Sequence, residues 1–186
     1  MREGVERVSP QHKGKIAVIP NCSDLDKFGS RSDKNQISTM DAFAGKFVCS
    51  YFGTLGYAND LEYVIDIDKF AQEAGNDKLV FYIVGQGRDR EMLEALIAQH
   101  KLENVVVDGP YPPSVATEIA DRSDACFTLF RDLPVLHTCS PNKFFDSLAA
   151  GKPVITNMRG WVADLVESNN CGLVIDSSNP KDAAEL

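Results

Sequence analysis

The residues whose types and spacing could do chemistry fall in one run: Ser140-Pro141-Asn142-Lys143-Phe144-Phe145-Asp146-Ser147-Leu148-Ala149-Ala150-Gly151-Lys152-Pro153-Val154-Ile155. It reads as a loop, a short helix over Lys143–Ala150, a glycine stop and a buried strand. Ser140 or Asn142 can cap the helix, and Pro141 suits its first turn. A helix N-terminus with free N–H groups attracts anions, phosphate above all. Lys143 adds a positive charge at that end, and Asp146 follows about one turn inward. A cation beside a diphosphate and a carboxylate beside sugar hydroxyls is what a nucleotide-sugar site requires. The same residues also describe a capped structural helix with a surface lysine, and spacing alone leaves both readings open.

Such a helix must be held by a sheet. Apolar runs at Lys15–Ile19, Phe47–Phe52, Leu79–Val84, Asn104–Val107, Ala125–Phe130, Pro153–Thr156 and Gly172–Ile175 read as strands. Most are continuous and not alternating, the mark of strands covered on both faces of a parallel sheet. Between them lie helical stretches. One is capped by Asn59 or Asp60 and runs to about Ala74, with Val64, Ile67, Ala71 and Ala74 on one side. Others are Asp89–His100, Ser114–Arg122 and Gly160–Ser168. Gly29–Ala44 is polar, without a clear period, and reads as a mobile loop. The alternation predicts an α/β fold with a Rossmann-like, doubly wound parallel sheet and right-handed crossovers. Ligands of such sheets bind at the carboxyl ends of the strands. Gly53 and Gly56, Gly85 and Gly87, Gly109 and the Cys139–Asn142 loop all follow strands there. Any one of these glycines alone reads equally as a turn residue; their shared edge is the signal.

At 186 residues and 44% hydrophobic, the chain suits one domain with one core. A net charge of −8 and the lack of a basic run interleaved with aromatics argue against nucleic acid. No apolar run approaches a membrane span, and the charged Met1–Gln11 stretch lacks the apolar centre of a signal peptide. Five cysteines without a C-x-x-C pair give no metal or disulfide framework; Cys49, Cys126 and Cys171 sit in or beside apolar runs as small hydrophobes. A reducing, cytoplasmic setting fits them.

The Ser140–Ile155 run resembles the signature S-P-x-K-x-x-E-x-x-A-x-G-x-P-V of retaining GT-B glycosyltransferases, family 4 or "glycosyl transferases group 1". Further resemblances follow in order. Ile16–Phe28 is similar to I-x-V-I-P-N-G-V-D-x-x-x-F, Phe52-Gly53-Thr54-Leu55-Gly56 to the first glycine-rich loop, Val84-Gly85-Gln86-Gly87 to I-V-G-x-G, and Asn104–Gly109 to N-V-x-F-x-G. The likeness runs from about Lys15 to the end. It implies the C-terminal, donor-binding half of a GT-B fold over 15–186, truncated at its C-terminus. Residues 1–14 would be the tail of a preceding acceptor domain or a linker.

Several roles are implied by the resemblance. Asp146 would hydrogen-bond the ribose of the donor nucleotide. Lys143 and the N–H groups around Asn142–Phe144 would face the diphosphate, with Ser140, Pro141 and Asn142 forming the turn beside the donor. Gly53, Thr54, Gly85 and Gly87 would lie along the donor, Tyr111 would flank the base, and Arg88 would reach a phosphate or stay at the surface. No catalytic residue is assigned, and His137 reads as a bystander. The donor implied is a nucleotide diphosphate sugar, a UDP-sugar first, with no cofactor and no metal. The acceptor would be a saccharide or a lipid-linked molecule, met through the N-terminal domain at the inner face of the plasma membrane. Three positions depart from the family pattern: the arginine and lysine of G-R-L-x-x-x-K-G are Thr54 and Asn59 here, and the first acid of E-x7-E is Thr138. G-T-x-G-x-A-N-x-L with S-P-N-K-x-F-D resembles instead a subgroup that transfers amino sugars in bacterial surface polysaccharide synthesis. The alternatives are a nucleotide-sugar epimerase of GT-B fold and a non-catalytic flavodoxin-like binding module. A dinucleotide dehydrogenase is disfavoured, because Gly85-Gln86-Gly87 lacks the third glycine of its motif.

Overall fold

The computed structural model describes residues 2–19, 21–28 and 37–186. Six strands form one parallel sheet: β1 Phe47–Thr54, β2 Leu79–Gln86, β3 Val105–Asp108, β4 Ala125–Thr128, β5 Val154–Thr156 and β6 Gly172–Val174, in the order β3-β2-β1-β4-β5-β6. Chain order reverses beside β1, between β2 and β4, and a crevice opens at such a point outside the carboxyl ends. β1 and β2 pair over eight residues, from Phe47 with Leu79 to Thr54 with Gln86, which sets Gly53 against Gly85.

The strands are apolar throughout because helices cover both faces. The helices are α1 Arg2–Val8, α2 Glu62–Glu73, α3 Arg90–His100, α4 Ala116–Arg122, α5 Asn142–Ala149, α6 Trp161–Asn169 and α7 Pro180–Glu185. On one face, Val64 and Ile67 of α2 and Leu93 of α3 pack on Cys49, Tyr51, Phe81, Ile83 and Phe127. On the other, Ile119 of α4 packs with Val48, Phe52, Val80, Tyr82 and Cys126. Phe144 of α5 joins Val154, Val162 and Val166 in a third cluster.

Six of the seven expected strands form. Lys15–Ile19 does not: it is irregular and exposed, with Ile19 at 90% accessibility. Composition can suit a strand, but a strand needs a neighbour to take its N–H and C=O groups, and this run pairs with none among the described residues. Neither Asn59 nor Asp60 caps α2. Leu61 precedes it without a side-chain cap, Asp60 is left-handed (φ 51°), and Asn59 turns to the site described below. The expected loop over Gly29–Ala44 is only partly described, since 29–36 lie outside the described residues. Its last part is ordered: Ser38–Phe43 is a 3-10 helix, and Ile37, Met40 and Phe43 are buried against Tyr82 and α4.

One buried acid opposes the fold. Asp68 of α2 is 0% accessible and neither carboxylate oxygen has a well-formed hydrogen bond. Burial pushes its pKa up to about 6, with Asn104 nearby pulling weakly the other way. A carboxyl whose folded pKa exceeds its unfolded value binds its proton more tightly when folded, so its cost appears as pH rises from about 4 to 6 and persists above. Asp68→Asn is therefore expected to stabilise the protein by about 1–3 kcal/mol at pH 8 and by much less at pH 4. Urea melts of both forms at the two pH values check this; an equal effect at both would refute it.

A cavity of about 420 Å³ lies at the amino end of the sheet, between Phe81, Phe127 and Ile155 and the last residues of the chain, Ala183, Ala184 and Leu186. Its walls are almost wholly apolar, with Lys78 the one charged residue lining it. It offers nothing to hold a polyanion.

Candidate functional site

Most of the residues singled out for chemistry gather at the carboxyl end of the sheet. A cavity of about 420 Å³ opens there, lined by Phe52, Gly53, Thr54, Val84, Gly85, Gln86, Pro110, Tyr111, Pro112, Ala116, Ile119 and Asp146. Three strand ends, α4 and α5 thus meet around one space. Gly85 and Gly87 are required by close backbone packing. A Cβ on Gly85 would sit 1.8 Å from the Gly53 carbonyl oxygen, and one on Gly87 would sit 2.0 Å from that of Leu55.

The helix α5 brings Asp146 to this space. Pro141, not Ser140 or Asn142, is its N-cap, and no side chain caps it. Its first N–H groups thus lack side-chain acceptors, as an anion site wants. Asn142 Oδ1 instead accepts a hydrogen bond from Asn21 Nδ2, which also donates to the Ser140 carbonyl at 3.2 Å. The helix ends as expected on left-handed Gly151 (φ 69°), with Gly151 N bonded to Leu148 O at 2.9 Å and Lys152 N to Ser147 O at 3.0 Å.

Lys143 is not a surface lysine. Its Nζ donates to Tyr51 Oη at 2.7 Å and to Asn59 Oδ1 at 3.0 Å. It stands 4.1 Å from the centroid of the Tyr51 ring and 5.4 Å from that of Phe130. Tyr51 Oη and Asn59 Nδ2 both donate in turn to the Thr54 carbonyl, at 2.7 and 2.9 Å. The lysine tip lies directly over Gly53, where a Cβ would meet Cε and Nζ at 3.4 Å. Burial pushes the Lys143 pKa down to about 7, since the charged form loses water and gains only neutral partners. The ammonium group keeps a third N–H donor beyond these two bonds. The first glycine-rich loop and α5 are therefore joined through one cation, although they lie about 90 residues apart. Asn59, at the position where the family pattern has lysine, holds the lysine of α5.

Asp146 lines the cavity, with Ser23 Oγ donating to its Oδ1 at 2.5 Å. Tyr111 also lines it, in a turn that starts with a cis Gly109–Pro110 bond. Its hydroxyl is engaged: Tyr111 Oη and Tyr82 Oη donate to Asp108 Oδ2 at 2.9 and 2.7 Å, and the Gly109 amide donates to Oδ1 at 2.7 Å. Burial alone would raise the Asp108 carboxyl; bonds from Tyr82, Gly109, Thr39 and Tyr111 outweigh it and hold the pKa below the usual range. The turn is stapled from α3 as well, where Arg90 Nη1 donates to Gly109 O at 2.8 Å and Gly85 O at 3.2 Å.

Thus Gly53, Thr54, Gly85, Tyr111 and Asp146 line one cavity. Lys143 overlies Gly53, and Ser140-Pro141-Asn142 form the turn before it. Arg88 stays outside: it is exposed, pairs with Asp89 at 3.0 Å and approaches the Tyr57 ring at 5.9 Å. His137 pairs with Asp132 at 2.7 Å, a carboxylate shared with Arg159. Sequence reasoning missed Asn21, Ser23, Tyr51, Arg90 and Asp108. Asn21, Ser23 and Asp108 fall inside quoted motifs, but only Asn21 matches a specified residue of its pattern.

With this geometry in hand, comparison with known proteins decides the family. The profile described as Glycosyl transferases group 1 matches residues 46–186. The chain belongs to that family. No curated protein matches it by sequence. Among solved structures, HepE from Anabaena in complex with UDP-glucose aligns with a TM-score of 0.70 and 21% identity over 91% of this chain and 46% of its own. TarM from S. aureus, solved as a variant in complex with fondaparinux, alpha-GlcNAc-glycerol and UDP, aligns with a TM-score of 0.63 and 14% identity over 97% and 34%. The C-terminal domain of LpcC from Francisella tularensis gives 0.66 and 13% over 88% and 84%. At these identities the likeness shows the fold: this group 1 chain has the Rossmann-like half of a GT-B glycosyltransferase. It spans half or less of the length of HepE and TarM. Among the described residues of this glycosyltransferase chain, no helix is long and apolar enough to cross a membrane, and no cluster of three His, Cys, Asp or Glu could hold a metal ion.

Proposed function

We propose that this chain is the donor-binding domain of a glycosyltransferase that moves a sugar from a nucleotide diphosphate sugar to a saccharide or lipid-linked acceptor. One observation carries the reading: the Lys143 ammonium is held over Gly53, beside a cavity that Asp146 lines, at the carboxyl end of a parallel sheet. In this reading Lys143 serves the diphosphate and Asp146 the ribose hydroxyls, both from one helix, with the base against Pro110, Tyr111 and Pro112. The donor is a UDP-sugar, in line with the UDP and UDP-glucose bound by TarM and HepE. In transfer, Lys143 and the first amides of α5 stabilise negative charge as the nucleoside diphosphate leaves. No cofactor beyond the donor takes part. Following the family resemblance, transfer retains anomeric configuration, and the sugars are amino sugars of a surface polysaccharide. A preceding domain supplies the acceptor site, on the cytoplasmic side, at the inner face of the membrane.

Calorimetric titration with UDP, GDP and ADP tests this. UDP is expected to bind, and Asp146→Ala to weaken it about tenfold or more, the loss of a hydrogen bond to a charged group. Binding of GDP or ADP in its place would change the donor class. Silence with all three nucleotides would overturn the reading.

A further inference from the structure

Ser23 lies on the irregular segment that precedes the sheet, 123 residues away from Asp146 in sequence, yet its hydroxyl is 2.5 Å from Asp146 Oδ1. A serine hydroxyl has one proton, so at this distance it is spent on the carboxylate. Two residues earlier, Asn21 grips the Ser140 carbonyl and the Asn142 side chain. The segment is therefore fastened at three points to α5 and the turn before it, at the Ser140 carbonyl, the Asn142 side chain and the Asp146 carboxylate. Asp146 can rotate about its own two side-chain torsions, and its backbone is fixed only by the helix. The bond from Ser23 fixes one oxygen and leaves Oδ2, which has no partner among the described residues, for a ligand. A carboxylate accepts at several lone-pair positions, so a hydroxyl on one oxygen does not block the other. The family pattern has valine where this chain has Ser23 and glutamate where it has Asp146. The shorter acid and the hydroxyl that reaches it occur here together.

We propose that Ser23 is a positioning residue for Asp146: it orients the carboxylate toward the ribose hydroxyls and makes donor recognition depend on the segment ahead of the sheet. The inference rests on the donor-site reading above. It predicts that Ser23 tunes discrimination for a ribose bearing hydroxyls without touching the nucleotide itself. A hydroxyl-bearing replacement, Ser23→Thr, keeps this function, whereas Ser23→Ala frees the carboxylate.

The test uses the full chain and two probes, UDP and 2′,3′-dideoxy-UDP, which lacks both ribose hydroxyls. In the wild type the affinity ratio should favour UDP by about tenfold or more, and in Asp146→Ala it should fall close to one. Ser23→Ala should lower the ratio by about three- to tenfold, through loss of UDP affinity alone; Ser23→Thr should keep it. In the Asp146→Ala background, Ser23→Ala should change the ratio no further. A purely structural Ser23 would shift the melting temperature and weaken both probes equally, which would overturn the inference. A wild-type ratio in Ser23→Ala would do the same while leaving the donor-site reading intact. An unchanged ratio in Asp146→Ala, or no UDP binding at all, would remove the donor-site reading and the inference with it.

Discussion

Replacing Lys143 by methionine is expected to lower the affinity for UDP about a hundredfold and, at the same time, to make the ligand-free protein more stable. The two effects have one origin. The ammonium group sits among a phenol, an amide and two aromatic rings, with no carboxylate bonded to it among the described residues. Burial has moved its pKa to about 7, so its charged form is unfavourable until an anion arrives. A diphosphate would supply that anion, and charge-assisted bonds of this kind contribute about 1.5–3 kcal/mol each. Methionine matches the stem, loses the charge and relieves the burial of an unpaired cation. Uridine, which has no phosphate, should bind both forms equally. The pH dependence has a definite sign. As pH rises through 7 the free lysine loses its proton, and UDP binding must first restore it, so affinity falls by up to about tenfold per pH unit above 7. Calorimetry between pH 6 and 9 reads both effects. Unchanged UDP affinity in Lys143→Met would refute the role given to the lysine.

The second large effect concerns the floor of the site. Gly85→Ala is expected to cost about 3–4 kcal/mol or to prevent folding. The added methyl would stand 1.8 Å from the carbonyl oxygen of Gly53 and 3.0 Å from its carbon, on the neighbouring strand in register. Neither atom can move without parting β1 from β2, and those strands carry the cavity wall and the backbone under Lys143. Gly75→Ala provides the contrast. Gly75 follows α2 with φ 73° and open space around a Cβ, so only its left-handed backbone is strained, at about 1 kcal/mol. Urea denaturation of both variants checks the difference. Comparable losses would show that conformational freedom, and not the approach of the two chains, selects glycine at 85.

The sheet was readable in the sequence because strands covered on both faces leave continuous apolar runs, and β1, β2 and β4 stand where those runs do. Lys15–Ile19 was misread for the same reason: apolar composition marks the potential for a strand, whereas pairing is decided by what lies alongside. The positions of Asp146, Lys143 and the glycines at the carboxyl edge were legible through motif and spacing. Their state was not. Lysine is usually exposed, and nothing near Lys143 in sequence announces that Tyr51 and Asn59, 92 and 84 residues earlier, turn it inward. Asn59 read as a lost cation and as a helix cap; it is a bracket for the cation that remains. The cap of α5 was misassigned because Asn142 had a better partner in Asn21, again a contact between distant segments. Ser23 and Asp108 belong with these: their partners lie across the fold or in a turn whose shape only tertiary packing sets.

The reversal of strand order beside β1 shapes how this domain comes into being. Strand β1 touches β2, its successor in the chain, but meets β4 only after some 70 intervening residues have been made and folded. The crevice draws on both sides of that junction: Asp146 comes from beyond β4, the rest of its lining from β1, β2, the turn after β3 and α4. The β1–β2–β3 half can form from local crossovers, as short loops close at low entropic cost, yet it holds no lysine tip and no Asp146. Nucleotide affinity thus depends on joining both halves, and a domain assembled only as far as β3 is expected to have none.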